Sequence, residues 1–103
     1  MRYLLKASMD VEAGNKAAME GRLGEIINSI VKEMNPEAAY FLADNGCRTA
    51  YIFFDMKDVS QIPSIAEPWF LALNAKIELH PVMVPDDLMK AGPDIGAAVK
   101  KYS

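Results

Sequence analysis

The stretch Ala38-Ala39-Tyr40-Phe41-Leu42-Ala43-Asp44-Asn45-Gly46-Cys47-Arg48-Thr49-Ala50-Tyr51-Ile52-Phe53-Phe54-Asp55 decides the fold. Its centre, Asp44-Asn45-Gly46-Cys47, is the strongest local signal in the chain. Asn-Gly supplies the two positive φ values that a type I′ hairpin turn requires. The run after it is rich in Thr49, Tyr51, Ile52, Phe53 and Phe54, residues that favour pleated backbone. The spacing predicts two antiparallel strands, Ala38–Ala43 and Arg48–Asp55. A two-residue loop also sets their register. It pairs Leu42 with Thr49, Tyr40 with Tyr51 and Ala38 with Phe53 on one face. On the other it pairs Phe41 with Ala50 and Ala39 with Ile52.

Outward from the hairpin, Tyr3 to Met9 reads as a first strand. Asp10 follows as a helix N-cap, since its carboxylate can accept from the orphan amides of the next turn. Leu23, Ile26, Ile27, Ile30, Val31 and Met34 recur at three- and four-residue spacing. They predict one helix from about Val11 to Met34, ended by Asn35-Pro36. Gly21 and Gly24 interrupt it and are expected to pack closely on the sheet or bend the helix, with a break as the alternative. After the hairpin, Ser60 is expected to cap a second helix from about Gln61 to Asn74. Pro63 fits its first turn, and Pro68 is expected to kink or split it. Its apolar stripe is Ile62, Ile65, Ala66, Trp69, Phe70 and Leu73, which makes Trp69 core filler. Ala75 to His80 is the last strand, stopped by Pro81. Residues 84–103 form a helical tail to this single domain, residues 1–103.

The order βαββαβ points to a ferredoxin-like α+β fold. It predicts an antiparallel sheet in spatial order 4-1-3-2, with both helices on one face because parallel crossovers are right-handed. Leu5, Ala7, Ala39, Phe41, Ala50, Ile52, Phe54, Ile77 and Leu79 then face the helices, and all are apolar. The other face receives Arg2, Leu4, Lys6, Ser8, Tyr40, Leu42, Thr49, Tyr51, Phe53, Lys76, Glu78 and His80. A sheet face left to water should alternate to polar residues. This one carries too much apolar and aromatic surface for that. The expected cover is the same sheet of a second subunit, since two-fold pairs are the commonest closed oligomers. The alternative cover is the chain's own tail.

Composition narrows the partners. The chain has 103 residues, 51% hydrophobic and 24% charged, which fits one folded domain. A domain this small buries roughly 65% of its unfolded surface, so burial by a partner helps it. The net charge is −3 and no basic run exceeds Lys100-Lys101, which argues against nucleic acid. One cysteine, Cys47, allows no internal disulfide. The apolar run near the start is too short for a signal peptide, and none approaches membrane-spanning length, so the expected compartment is the cytoplasm, with no membrane contact.

With this architecture the chain resembles the dimeric α+β barrel superfamily, in which two ferredoxin-like sheets pack face to face. Glu67-Pro68-Trp69-Phe70 and His80-Pro81-Val82-Met83-Val84-Pro85-Asp86-Asp87-Leu88 are similar to segments of small bacterial proteins of that class. The resemblance implies the fold and the dimer. It spans cofactor-independent monooxygenases, muconolactone-isomerase-like enzymes, haem-dependent members and ligand sensors, so it does not fix an activity.

No phosphate loop, nucleophile elbow or ordinary zinc set is present, and no metal or cofactor is expected. Asp55 and Asp58 read as solvated turn residues. The remaining candidates lie on the face without helices: Lys6, Tyr40, Tyr51, Phe53, Glu78 and His80. Aromatic walls with a few polar groups suit a small apolar or aromatic molecule held between two sheets. In an enzyme, His80 would act as base, Tyr51 would orient a substrate oxygen, and Lys6 would stabilise a developing anion. In a purely structural dimer, Lys6 and Glu78 would simply pair.

Overall fold

The computed structural model describes residues 1–103. Strands β1 (Arg2–Ser8), β2 (Ala38–Asp44), β3 (Cys47–Asp55) and β4 (Lys76–Pro81) form one antiparallel sheet in the order β2-β3-β1-β4. This is the predicted order read from the other edge, and the fold is ferredoxin-like. The hairpin register is the predicted one at every pair, including Tyr40 opposite Tyr51 and Phe41 opposite Ala50. Asn45 and Gly46 hold φ of 52° and 74°, the left-handed values the turn requires.

Leu5, Ala7, Ala50, Ile52 and Phe54 are fully buried under the helices, as predicted. Phe41 is a correction. It points to the helix side but is 54% exposed, because no helix covers that end of β2. Thr49 lies on the helix-free face, as predicted, and is buried there. It sits on an inner strand, opposite Ser8 and Leu42, and its hydroxyl donates to the Cys47 carbonyl.

The predicted first helix is two. Asp10 caps α1 (Val11–Met19), accepting from the Ala13 amide at 3.0 Å as expected. The helix then stops at Gly21, which takes φ 71°. The Gly21 amide donates to Ala18 and the Arg22 amide to Ala17, the paired bonds of a Schellman termination. The chain restarts as α2 (Leu23–Met34), ended by Asn35 in the left-handed conformation. The break therefore replaces the close packing expected of Gly21. Gly24 has open space where a Cβ would stand. The glycine that does pack closely is Gly14, against Arg48.

The second predicted helix is α3 (Ile62–Leu73). Asp58, not Ser60, caps the 3-10 turn Val59–Gln61 that leads into it. The Asp58 carboxylate accepts from the Ser60 amide, while the Gln61 side chain accepts from the Asp58 amide. Pro68 does not split α3. The proline removes one hydrogen bond, but Ala66, Trp69 and Leu73 are buried around it and hold the helix to the sheet. Ile62 and Phe70, placed on the buried stripe by sequence, are exposed. Trp69 is fully buried, as expected, although its indole N–H has no partner.

The tail forms α4 (Pro85–Lys90) and α5 (Gly92–Tyr102). Every residue of α5 is exposed, so the tail does not cover the chain's own sheet. The radius of gyration is 17.3 Å and the longest dimension 59 Å. A compact chain of this length has a radius near 13 Å. The tail thus projects as an arm. No helix is long and apolar enough to cross a membrane.

Candidate functional site

Strand alternation brings the six predicted site residues to the face without helices. On the inner strand β1, Lys6 lies opposite Tyr51 of β3 on one side and Glu78 of the edge strand β4 on the other. Tyr40 lies opposite Tyr51, Phe53 opposite Leu4, and His80 opposite Leu4 on the other side. The aromatic rings of Tyr40, Tyr51 and Phe53 therefore occupy the β2–β3 half, while the polar groups follow β1 and β4.

Lys6 is the hub of the polar half. Its ammonium lies 2.8 Å from the Asp44 carboxylate and 3.8 Å from that of Glu78. It also stands 5.9 Å from the centre of the Tyr51 ring, within cation–π range. The Tyr51 hydroxyl donates a long bond of 3.5 Å to Asp44. The bond to Asp44 holds the Lys6 pKa above its ordinary value, with the charge of Asp44 adding to it. Reciprocally, Lys6 holds the Asp44 carboxyl below the usual carboxylate range. The expected Lys6–Glu78 pair is present, and Asp44 is a nearer partner not named from the sequence. The signal was present: Tyr40, Leu42 and Asp44 alternate along one face of β2.

His80 sits at the edge of this network. Its Nε2 is 3.2 Å from the Glu78 carboxylate, and its side chain is 55% exposed within one chain. Tyr40 is 61% exposed and Leu42 is exposed beside it. The face within one chain is thus an open shelf, not an enclosed pocket. No group of three His, Cys, Asp or Glu residues is placed to hold a metal ion.

A second concavity was not legible in the sequence. A cleft of about 780 Å³ opens on the helix side, where α1 and α2 leave the end of the hairpin uncovered. Met9, Val11, Asn15, Ile27, Phe41 and Arg48 line it. It depends on how two helices dock at one end of the sheet, which periodicity does not report.

Among solved structures, the chain is similar to a formyltetrahydrofolate deformylase from Pseudomonas putida KT2440. The TM-score is 0.50 at 14% identity, over 80% of this chain and 29% of that one. At that identity the likeness shows a shared fold. The chain spans less than a third of that enzyme's length. No family model matches the chain, and no curated protein matches it in sequence.

Proposed function

We propose that the protein is a homodimeric ligand-binding domain of the cytoplasm, with two sheets facing each other through their helix-free faces. The carrying observation is the shelf of exposed Tyr40 and Leu42 with half-buried Tyr51 and Phe53 beside the Lys6 network. A compact monomer of this mass exposes about 5,800 Å². This chain exposes 7187 Å². Part of the surplus of about 1,400 Å² belongs to the projecting arm, since every residue of α5 is exposed, so the shelf itself carries the dimer reading. The resemblance to face-to-face dimeric barrels supports the same arrangement.

Between the sheets, the aromatic rings form the walls for a small apolar or aromatic molecule. Lys6, Glu78 and His80 supply the polar contacts at its edge. Light scattering tests the dimer. The expected mass is about twice 11.4 kDa, and a monomer at micromolar concentration overturns the reading. A thermal-shift screen of small aromatic compounds tests the ligand. A saturating binder at a hundredfold its Kd stabilises by about 2.7 kcal/mol. A Tyr51→Ala variant that still dimerises should lose that shift. A dimer that binds nothing favours an oligomerisation role.

A second reading draws on the Glu78–His80 pair. A carboxylate within hydrogen-bonding distance of an imidazole nitrogen orients the ring. This supports a cofactor-independent monooxygenase- or isomerase-like enzyme with His80 as base and Tyr51 orienting the substrate. In that case a bound ligand is turned over, and His80→Gln abolishes turnover while leaving binding in place.

A further inference from the structure

The cleft on the helix side contains an unpaired cation. Arg2 pairs with Glu37 and Arg22 with Glu20, but Arg48 has no carboxylate partner. It is partly buried, on β3, between the first turns of α1 and the end of the hairpin. One contact fixes it: Nη1 donates to the Asn15 Oδ1 at 3.0 Å. Gly14 makes room for it. A Cβ at that position would stand 2.7 Å from Nη1, so a side chain there would displace the guanidinium. Asp10 caps α1 close by in sequence, yet its carboxylate is committed to the Ala13 amide.

The surroundings are apolar. Met9 and Ile27 lie deeper in the cleft, and Val11 and Phe41 stand exposed at its opening. A guanidinium is expensive to desolvate without an anion, and its planar fork matches a carboxylate in two parallel bonds. Because Asn15 turns its oxygen to Arg48, its amide N–H groups are free to donate to the same anion. From this juxtaposition we propose that the cleft binds an apolar carboxylate, a molecule with one carboxylate head on an alkyl or aryl body. The head lies on Arg48 and Asn15, and the body lies along Val11, Ile27 and Phe41. The site is complete within one chain, and the side chains that would hold the ligand, Arg48, Asn15, Val11, Ile27 and Phe41, lie on the helix side of the sheet and at its end.

The test is an amide-resolved NMR titration of the full chain with sodium octanoate, with 1-octanol as the uncharged control. Octanoate should give saturable shifts at the amides of Val11, Asn15, Phe41 and Arg48. Octanol should bind about ten- to a hundredfold more weakly, the loss expected for a charge-assisted hydrogen-bond pair. Arg48→Gln should weaken octanoate by a similar factor, and Arg22→Gln should leave it unchanged. In the unmodified protein the Arg48 Nε resonance should move with octanoate and not with octanol, a readout that survives even if Arg48→Gln fails to fold. The proposal is overturned by no saturable shift at these amides, by equal binding of octanol, or by an Arg48 Nε resonance that ignores octanoate. The last result would make Arg48 a strut between β3 and α1.

Discussion

Lys6 on β1 and Asp44 on β2 are joined by an ion pair of 2.8 Å, although β3 lies between their strands. The pair passes beside Tyr51, which faces Lys6 and donates to Asp44. One long side chain thus ties together three strands on the helix-free face.

That pair makes stability depend on pH at both ends. The Asp44 carboxyl is held below its ordinary 3.8 by Lys6, so its contribution is present above that value. It is lost as pH falls through the lowered folded value. The Lys6 ammonium is held above its ordinary 10.5 by Asp44, so its contribution is present below 10.5 and lost as pH rises through the raised folded value. Urea unfolding across pH should therefore show Lys6→Met removing the acid-side loss that Asp44 causes. An unchanged acid limb in that variant would show that the pair does not couple to folding.

Two neighbouring glycines should respond to alanine with opposite signs. Gly21 holds φ 71° and terminates α1, so Gly21→Ala should destabilise by about 1–2 kcal/mol. Gly24 lies inside α2 with open space around its missing Cβ. Gly24→Ala should stabilise by about 0.5–1 kcal/mol. Thermal and chemical denaturation of both variants would measure the difference; the same sign in both would contradict the helix break.

Trp69 separates packing from hydrogen bonding. Its ring is fully buried, and its indole N–H has no acceptor. Trp69→Ala should lose about 3–5 kcal/mol through the cavity it leaves. Trp69→Phe should lose much less, because the smaller ring also removes the unpaired donor. Equal losses in the two variants would mean that the indole N–H is satisfied in solution.

The projecting arm should contribute to the proposed dimer. Ile95 and Val99 stand four apart on α5, both exposed. Burial against a second copy would yield about 1.5–3 kcal/mol for each. Val99→Asp should then raise the dimer dissociation constant at least about tenfold by analytical ultracentrifugation. An unchanged constant would place the arm outside the interface.

The central hairpin was legible because its information is local. Asn45-Gly46 specifies the turn, and the turn specifies which side chains of β2 and β3 share a face. From that register, together with the βαββαβ order that gives the sheet order, followed the burial of Leu5, Ala50, Ile52 and Phe54 and the placing of Lys6, Tyr40, Tyr51, Phe53, Glu78 and His80 on one surface. The sequence also carried the signal for Asp44, one alternation beyond Leu42. Asn45, Asn35 and Gly21 all accept the left-handed backbone their positions need, but only the structure decided that Gly21 ends a helix.

Other features depended on contacts between elements far apart in the chain. The Lys6–Asp44 pair needs three strands laid side by side. The exposure of Phe41 and the space for Arg48 depend on where α1 and α2 stop on the sheet. The outward course of α5 leaves the exposed Tyr40, Phe41 and Leu42 of its own sheet uncovered, which the pattern of α5 does not report. Local pattern sets strand, turn and face, because a pleat alternates every residue. Tertiary docking alone decides which parts of a face are covered, because coverage depends on the angle and length of helices whose own periodicity would be the same in many arrangements.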